Sequence, residues 1–65
     1  MNVERISEKL IELRGRQTQK EIADAVGISQ STYAMYETGQ RIPSDEIKIR
    51  LAEYFKKTVQ EIFFE

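Results

Sequence analysis

The stretch that decides the fold runs Gln19-Lys20-Glu21-Ile22-Ala23-Asp24-Ala25-Val26-Gly27-Ile28-Ser29-Gln30-Ser31-Thr32-Tyr33-Ala34-Met35-Tyr36-Glu37-Thr38. In its first part, Ile22, Ala23 and Val26 share one helical face. Gly27 then stops the helix, because a sharp turn needs a left-handed residue and glycine adopts that conformation without strain. Ser29 is a good N-cap, so a second helix restarts almost at once and runs to about Glu37. Two helices can cross steeply over so short a turn only where a small side chain stands at their contact. Ala23 is that residue, and Ile22, Val26, Ile28, Tyr33 and Tyr36 pin the pair to a core.

Outward from this unit the chain reads as further short helices. Thr18 with Glu21 three residues later forms a capping box that opens the helix before Gly27. Upstream, Val3, Ile6, Leu10 and Leu13 recur at spacings of three and four, with Asn2 as N-cap and Gly15 as terminator. Downstream, Arg41-Ile42-Pro43 is extended, since the residue before proline avoids helical angles. Ser44 caps a fourth helix with Asp45 and Glu46 in its first turn, where the dipole favours anions. Its apolar stripe is Ile47, Leu51 and Tyr54 or Phe55. Thr58 and Glu61 repeat the capping box and start a short fifth helix with Ile62 and Phe63. No stretch alternates with period two. The expectation is an all-α, compact five-helix domain spanning residues 1–65 as one unit.

Composition removes several functions. With 65 residues the margin of stability is thin, since so short a chain buries only about 60% of its unfolded surface. There is no cysteine and no histidine, so disulfides, thiolate metal sites and the commonest general base are all absent. No nucleophile–base pair, phosphate loop or metal spacing emerges, and the chain is read as not an enzyme, with no catalytic residues, no metal, no cofactor and no small-molecule substrate. No signal peptide or membrane span is visible, and a cytoplasmic protein is expected. The formal charge of −1 speaks against a nonspecific nucleic-acid coat protein, which would be strongly basic. It leaves room for a binder that concentrates its contacts on one face.

A helix pair of this kind is the helix-turn-helix unit, whose second helix enters the DNA major groove. The chain resembles the lambda-repressor-like family, also called the Cro/repressor or XRE-type helix-turn-helix family. The residues that carry the likeness are Leu13-Arg14, Thr18-Gln19-Lys20-Glu21-Ile22-Ala23, Val26-Gly27-Ile28-Ser29, and Tyr36-Glu37-Thr38-Gly39 leading to Ile42-Pro43. Leu51-Ala52-Glu53-Tyr54-Phe55 and Glu61-Ile62-Phe63 look like the family's last two helices, so the likeness covers about residues 6 to 64. It implies a sequence-specific regulator of transcription, a repressor, bound to double-stranded DNA. By the same likeness Gln19 clamps a phosphate, Gln30 and Ser31 reach base edges, and Met35 faces the groove. Thr32 and Tyr33 border the groove, and Arg41 lies near the backbone. The likeness also pairs Arg14 with Glu37, a structural ion pair that orients the recognition helix.

Chemistry supports these roles independently. Amides at a helix N-terminus attract phosphate. Glutamine pairs with adenine through N6 and N7, worth about 1–3 kcal/mol of discrimination. Met35 suits a thymine methyl, so an A·T preference is expected. Residues 29–38 contain no Lys or Arg, which argues against direct reading of guanine. A homodimer on half-sites one turn apart, about 34–36 Å, is the expected partner arrangement. The loop at Ile42-Pro43-Ser44, the last helix and an exposed Phe64 are the candidate dimer contacts. A competing class is a protein-interaction module on the same fold, an antirepressor or antitoxin partner without DNA binding, which the acidic balance favours. Met1 and the capped first helix suggest a natural start.

Overall fold

Five side-chain caps set the helix boundaries in this computed structural model, which describes residues 1–64. Asn2, Thr18, Ser29, Ser44 and Thr58 each accept a hydrogen bond from the amide three residues on, at distances between 3.0 and 3.4 Å. Each such cap satisfies an amide that the helix itself leaves orphaned and is worth about 1 kcal/mol. The helices that follow are α1 (Val3–Arg14), α2 (Gln19–Val26), α3 (Gln30–Glu37), α4 (Asp45–Phe55) and α5 (Val59–Phe63). Thr18–Glu21 and Thr58–Glu61 are reciprocal capping boxes. No strand occurs among the described residues, and the all-α expectation holds with the helix breaks where the sequence put them.

The core takes side chains from every helix: Ile6 and Leu10, then Ile22, Ala23 and Val26, then Tyr33 and Tyr36, then Leu51 and Ala52, then Ile62 and Phe63. α3 packs between α1 and α2, and α5 closes the opposite side against α1 and α4. Ala23 is fully buried at the α2–α3 contact. Gly27 adopts the left-handed conformation, φ 79°, that ends α2. The turn is so tight that the Ile28 amide still reaches back to the Ala23 carbonyl at 3.0 Å.

Two cations have structural roles that the sequence did not announce. The Arg50 guanidinium donates to the Val26 carbonyl at 3.1 Å and to Glu46 at 2.6 Å. It thereby satisfies one of the carbonyls left open where α2 ends. Lys48 is buried, with its ammonium 5.9 Å from the Phe63 ring centroid, 5.3 Å from that of Phe64 and 3.7 Å from the Asp45 carboxylate. Its stem fills the seam between α4 and α5, while ring faces and a carboxylate stabilise its charge.

Candidate nucleic-acid interface

α3 has two unlike faces. Tyr33, Tyr36 and Glu37 point inward and are buried. Gln30, Ser31, Met35 and Thr38 are exposed on the other side, and Thr32 is half-buried. The division follows from helical periodicity, since positions 30, 31 and 35 lie within one outward arc. At the start of the helix the Ser29 hydroxyl bonds that of Thr32 at 2.8 Å and lies 3.2 Å from that of Ser31. The exposed arc is uncharged and offers an amide, hydroxyls and a thioether.

What holds α3 at its angle is the carboxylate at its end. Glu37 receives the Arg14 Nε at 2.7 Å, the Arg14 Nη2 at 3.1 Å and the Gln19 Nε2 at 3.0 Å. A fork from α1 and an amide from α2 thus converge on the last turn of α3. The Glu37 side chain is 4% exposed and that of Arg14 is 24% exposed. Arg14 also donates to the Gln17 carbonyl at 3.0 Å, which fixes the loop between α1 and α2. Burial pushes the Glu37 carboxyl up, but the bonds from Arg14 and Gln19, the nearby Tyr33 hydroxyl and the arginine charge outweigh it and hold it below its usual range.

The structure corrects one candidate contact. Tyr33 does not border a groove: it is completely buried and packs edge-on against Tyr36 at 6.2 Å between ring centroids. Its hydroxyl is sealed without a hydrogen-bond partner, and burial next to the Glu37 carboxylate drives its pKa far up. The misreading arose because position 33 lies one residue from exposed Thr32 in sequence yet on the other side of the helix.

The remaining candidates differ in exposure and in what they bond. Gln30, Ser31 and Met35 form the outward arc of α3, and half-buried Thr32 lies beside it. Gln19, at the first position of α2, is half-buried and gives one amide hydrogen to Glu37. Its backbone N–H lies in the first turn, where helix amides lack intrahelical partners. Arg41 is exposed and forms no ion pair among the described residues. It lines an open groove between α3 and the start of α4, together with Ser29, Thr32, Tyr36 and Ser44. Two participants were missed: Arg50, which ties α4 to the turn, and Gln17, whose side-chain oxygen accepts from the Tyr54 hydroxyl. The i,i+4 spacing of Glu46 and Arg50 was readable, but the reach to Val26 depends on tertiary packing. No group of three or more carboxylates, histidines or cysteines could hold a metal among the described residues.

The family profile described as helix-turn-helix matches residues 6–62. The HTH-type transcriptional regulator AnsR of Bacillus subtilis is 39% identical over 62 residues, covering 95% of this chain and 52% of that protein. The cryptic phage CTXphi transcriptional repressor RstR of Vibrio cholerae is 32% identical over 60 residues, covering 89% of this chain and 54% of that protein. The chain therefore spans about half the length of these relatives. No solved structure matches it at a significant level. With a profile matched across nearly its whole length, and with α2 ending at a left-handed Gly27 just before α3, the chain belongs to the helix-turn-helix family of the lambda-repressor-like, XRE type.

Proposed function

We propose that this chain is a sequence-specific double-stranded DNA-binding unit of a transcriptional regulator, acting as a repressor, with α3 in the major groove. The observation that carries this reading is the outward arc of α3. Gln30, Ser31 and Met35 stand free on a helix whose inner face is locked by the Glu37 network. A helix with one solvent-facing arc, backed by the core and carrying side chains able to read base edges, is what direct readout requires. The relatives named as a transcriptional regulator and a transcriptional repressor support the regulatory role.

Gln30 reads an adenine, Ser31 a neighbouring base edge, and Met35 a thymine methyl, which gives A·T-weighted half-sites. Gln19 and Arg41 hold the backbone on either side, and Thr32 borders the groove. The working form is a homodimer on a palindrome, with exposed Ile42 and Phe64 as the apolar residues available for its contact. Pro43 is buried, so the loop presents Ile42 and Ser44 rather than the proline.

Selection from random duplex DNA tests the reading, with Gln30→Ala run in parallel. A short palindromic motif is expected for the wild type, and its adenine position should relax in the variant. No enrichment even at low salt would overturn the DNA reading. Sedimentation on the selected duplex should find two chains per site; one chain per site would rule out the dimer.

A further inference from the structure

Gln17 lies in sequence between the two residues that bond Glu37, after Arg14 and before Gln19. Of residues 15–18, Gly15, Arg16 and Thr18 are exposed, and only Gln17 is half-buried. Its polar groups are engaged in three directions. The backbone N–H donates to the Arg14 carbonyl at 3.0 Å, and the Gln17 carbonyl accepts from the Arg14 Nη1 at 3.0 Å. The side-chain oxygen accepts from the Tyr54 hydroxyl, 37 positions away on α4. The first two bonds tie the loop only to the end of α1. The third fixes it against the rest of the molecule.

Tyr54 is a firm anchor for that bond. It is half-buried, packs against the core, and meets the Phe55 ring edge-on at 5.2 Å between centroids. The loop itself is open: Gly15 turns it at φ 55°, with no neighbouring atom within 4 Å of where a side chain would stand. What holds Gln17 also holds the donors on either side of it. The Arg14 guanidinium is bound on both edges, Nε and Nη2 on the Glu37 carboxylate and Nη1 on the Gln17 carbonyl. Its side chain is 24% exposed, so a guanidinium released from Gln17 has water to turn to. Thr18, the cap of α2, follows Gln17 directly, and Gln19 opens that helix. A shift of Gln17 therefore displaces both groups that tether the last residue of α3.

We propose that Tyr54 is a positioning residue for base reading: through Gln17 it keeps Arg14 and Gln19 on Glu37 and so sets the angle at which α3 meets DNA. This rests on the DNA-binding reading and extends the control of α3 to a hydroxyl on α4 that makes no contact with DNA. Base-edge hydrogen bonds need α3 at one angle, whereas nonspecific binding, carried by phosphate contacts, tolerates a small tilt. Loss of the Tyr54 hydroxyl thus lowers discrimination between sites rather than affinity for duplex in general.

The test measures binding of wild type, Tyr54→Phe, Gln17→Ala and the double variant to the selected duplex and to an unrelated one. Tyr54→Phe keeps the ring and Gln17→Ala keeps the loop backbone, so each removes one side of the bond. Either change should weaken binding to the selected duplex about 3- to 10-fold, the worth of one hydrogen bond, and leave the unrelated duplex nearly unaffected. The double variant should lose no more than either single one, because both remove the same link. A second readout is the Glu37 carboxyl, followed by NMR titration of labelled free protein. In Tyr54→Phe its midpoint should move up toward the ordinary value, since the bonds from Arg14 and Gln19 that hold it down are loosened. A Tyr54→Phe variant that keeps wild-type discrimination overturns the proposal and leaves the DNA reading intact. Equal losses on both duplexes, losses that add in the double variant, or an unmoved Glu37 midpoint also overturn it. A wild type that binds neither duplex removes the DNA reading and this role with it.

Discussion

Replacing Arg14 by alanine should damage the fold more than replacing its partner Glu37. Removing one member of a buried ion pair costs about 3–5 kcal/mol, largely because the other charge is stranded. The two partners are not stranded equally. With Arg14 gone, the Glu37 carboxylate, whose side chain is only 4% exposed in the intact fold, loses its counter-charge and keeps the Gln19 amide as its remaining hydrogen-bond donor. With Glu37 gone, the Arg14 guanidinium, already about a quarter exposed, can rehydrate. We therefore expect about 3 kcal/mol for Arg14→Ala and about 2 kcal/mol for Glu37→Ala. For a domain of this size those values correspond to melting-temperature drops of about 12–24 °C and about 8–16 °C. The double variant should be more stable than Arg14→Ala alone, since it no longer buries a lone carboxylate. Thermal melts followed by circular dichroism at neutral pH read all three. An Arg14→Ala melt within a few degrees of wild type, or a double variant weaker than Arg14→Ala, would refute this reasoning.

Further outcomes follow from the same structure. The Glu37 carboxyl is held below the ordinary value of 4.5, so its contribution is complete above that pH and is lost as pH falls through the depressed folded value. The stability gap between wild type and Glu37→Gln should therefore be flat from pH 7 to pH 5 and shrink in more acidic buffer; a gap that widens on acidification would contradict the shift. Gly27→Ala forces a side chain into a left-handed turn and brings its Cβ within 3.2 Å of the Arg50 guanidinium. It should cost about 1–2 kcal/mol in a denaturant melt; a neutral result would mean that the turn tolerates another conformation. Lys48→Met keeps the apolar stem in the α4–α5 seam and should cost under about 1.5 kcal/mol, whereas Lys48→Ala should cost more; equal losses would place the contribution in the charge rather than the stem.

The helix boundaries were legible because local chemistry sets them. Asn2, Thr18, Ser29, Ser44 and Thr58 are caps in the sequence and caps in the structure, and a cap needs only the three residues after it. The core stripes were legible for a similar reason: helical period alone places Ile6 with Leu10 and Ile22 with Val26 on buried faces. The Arg14–Glu37 pair, separated by 23 positions, came from family likeness rather than from any local pattern. Failures began where long side chains choose among distant partners. Nothing local says that Arg50 should bend back to Val26, or that Lys48 should bury itself against Phe63. Tyr33 reads both as a core residue and as a groove neighbour, because an aromatic beside the outward arc suits either, and packing selects the core.

The most direct test of the central claim is to titrate isotope-labelled protein with the selected duplex and follow every backbone amide. Perturbation should concentrate at Gln30 to Met35, at the first turn of α2 and around Arg41. The outer faces of α1 and α5, at Glu8 and Gln60, should remain unaffected by direct contact. Perturbation centred on those faces, with Gln30 and Ser31 unmoved, would contradict α3 as the DNA-reading element.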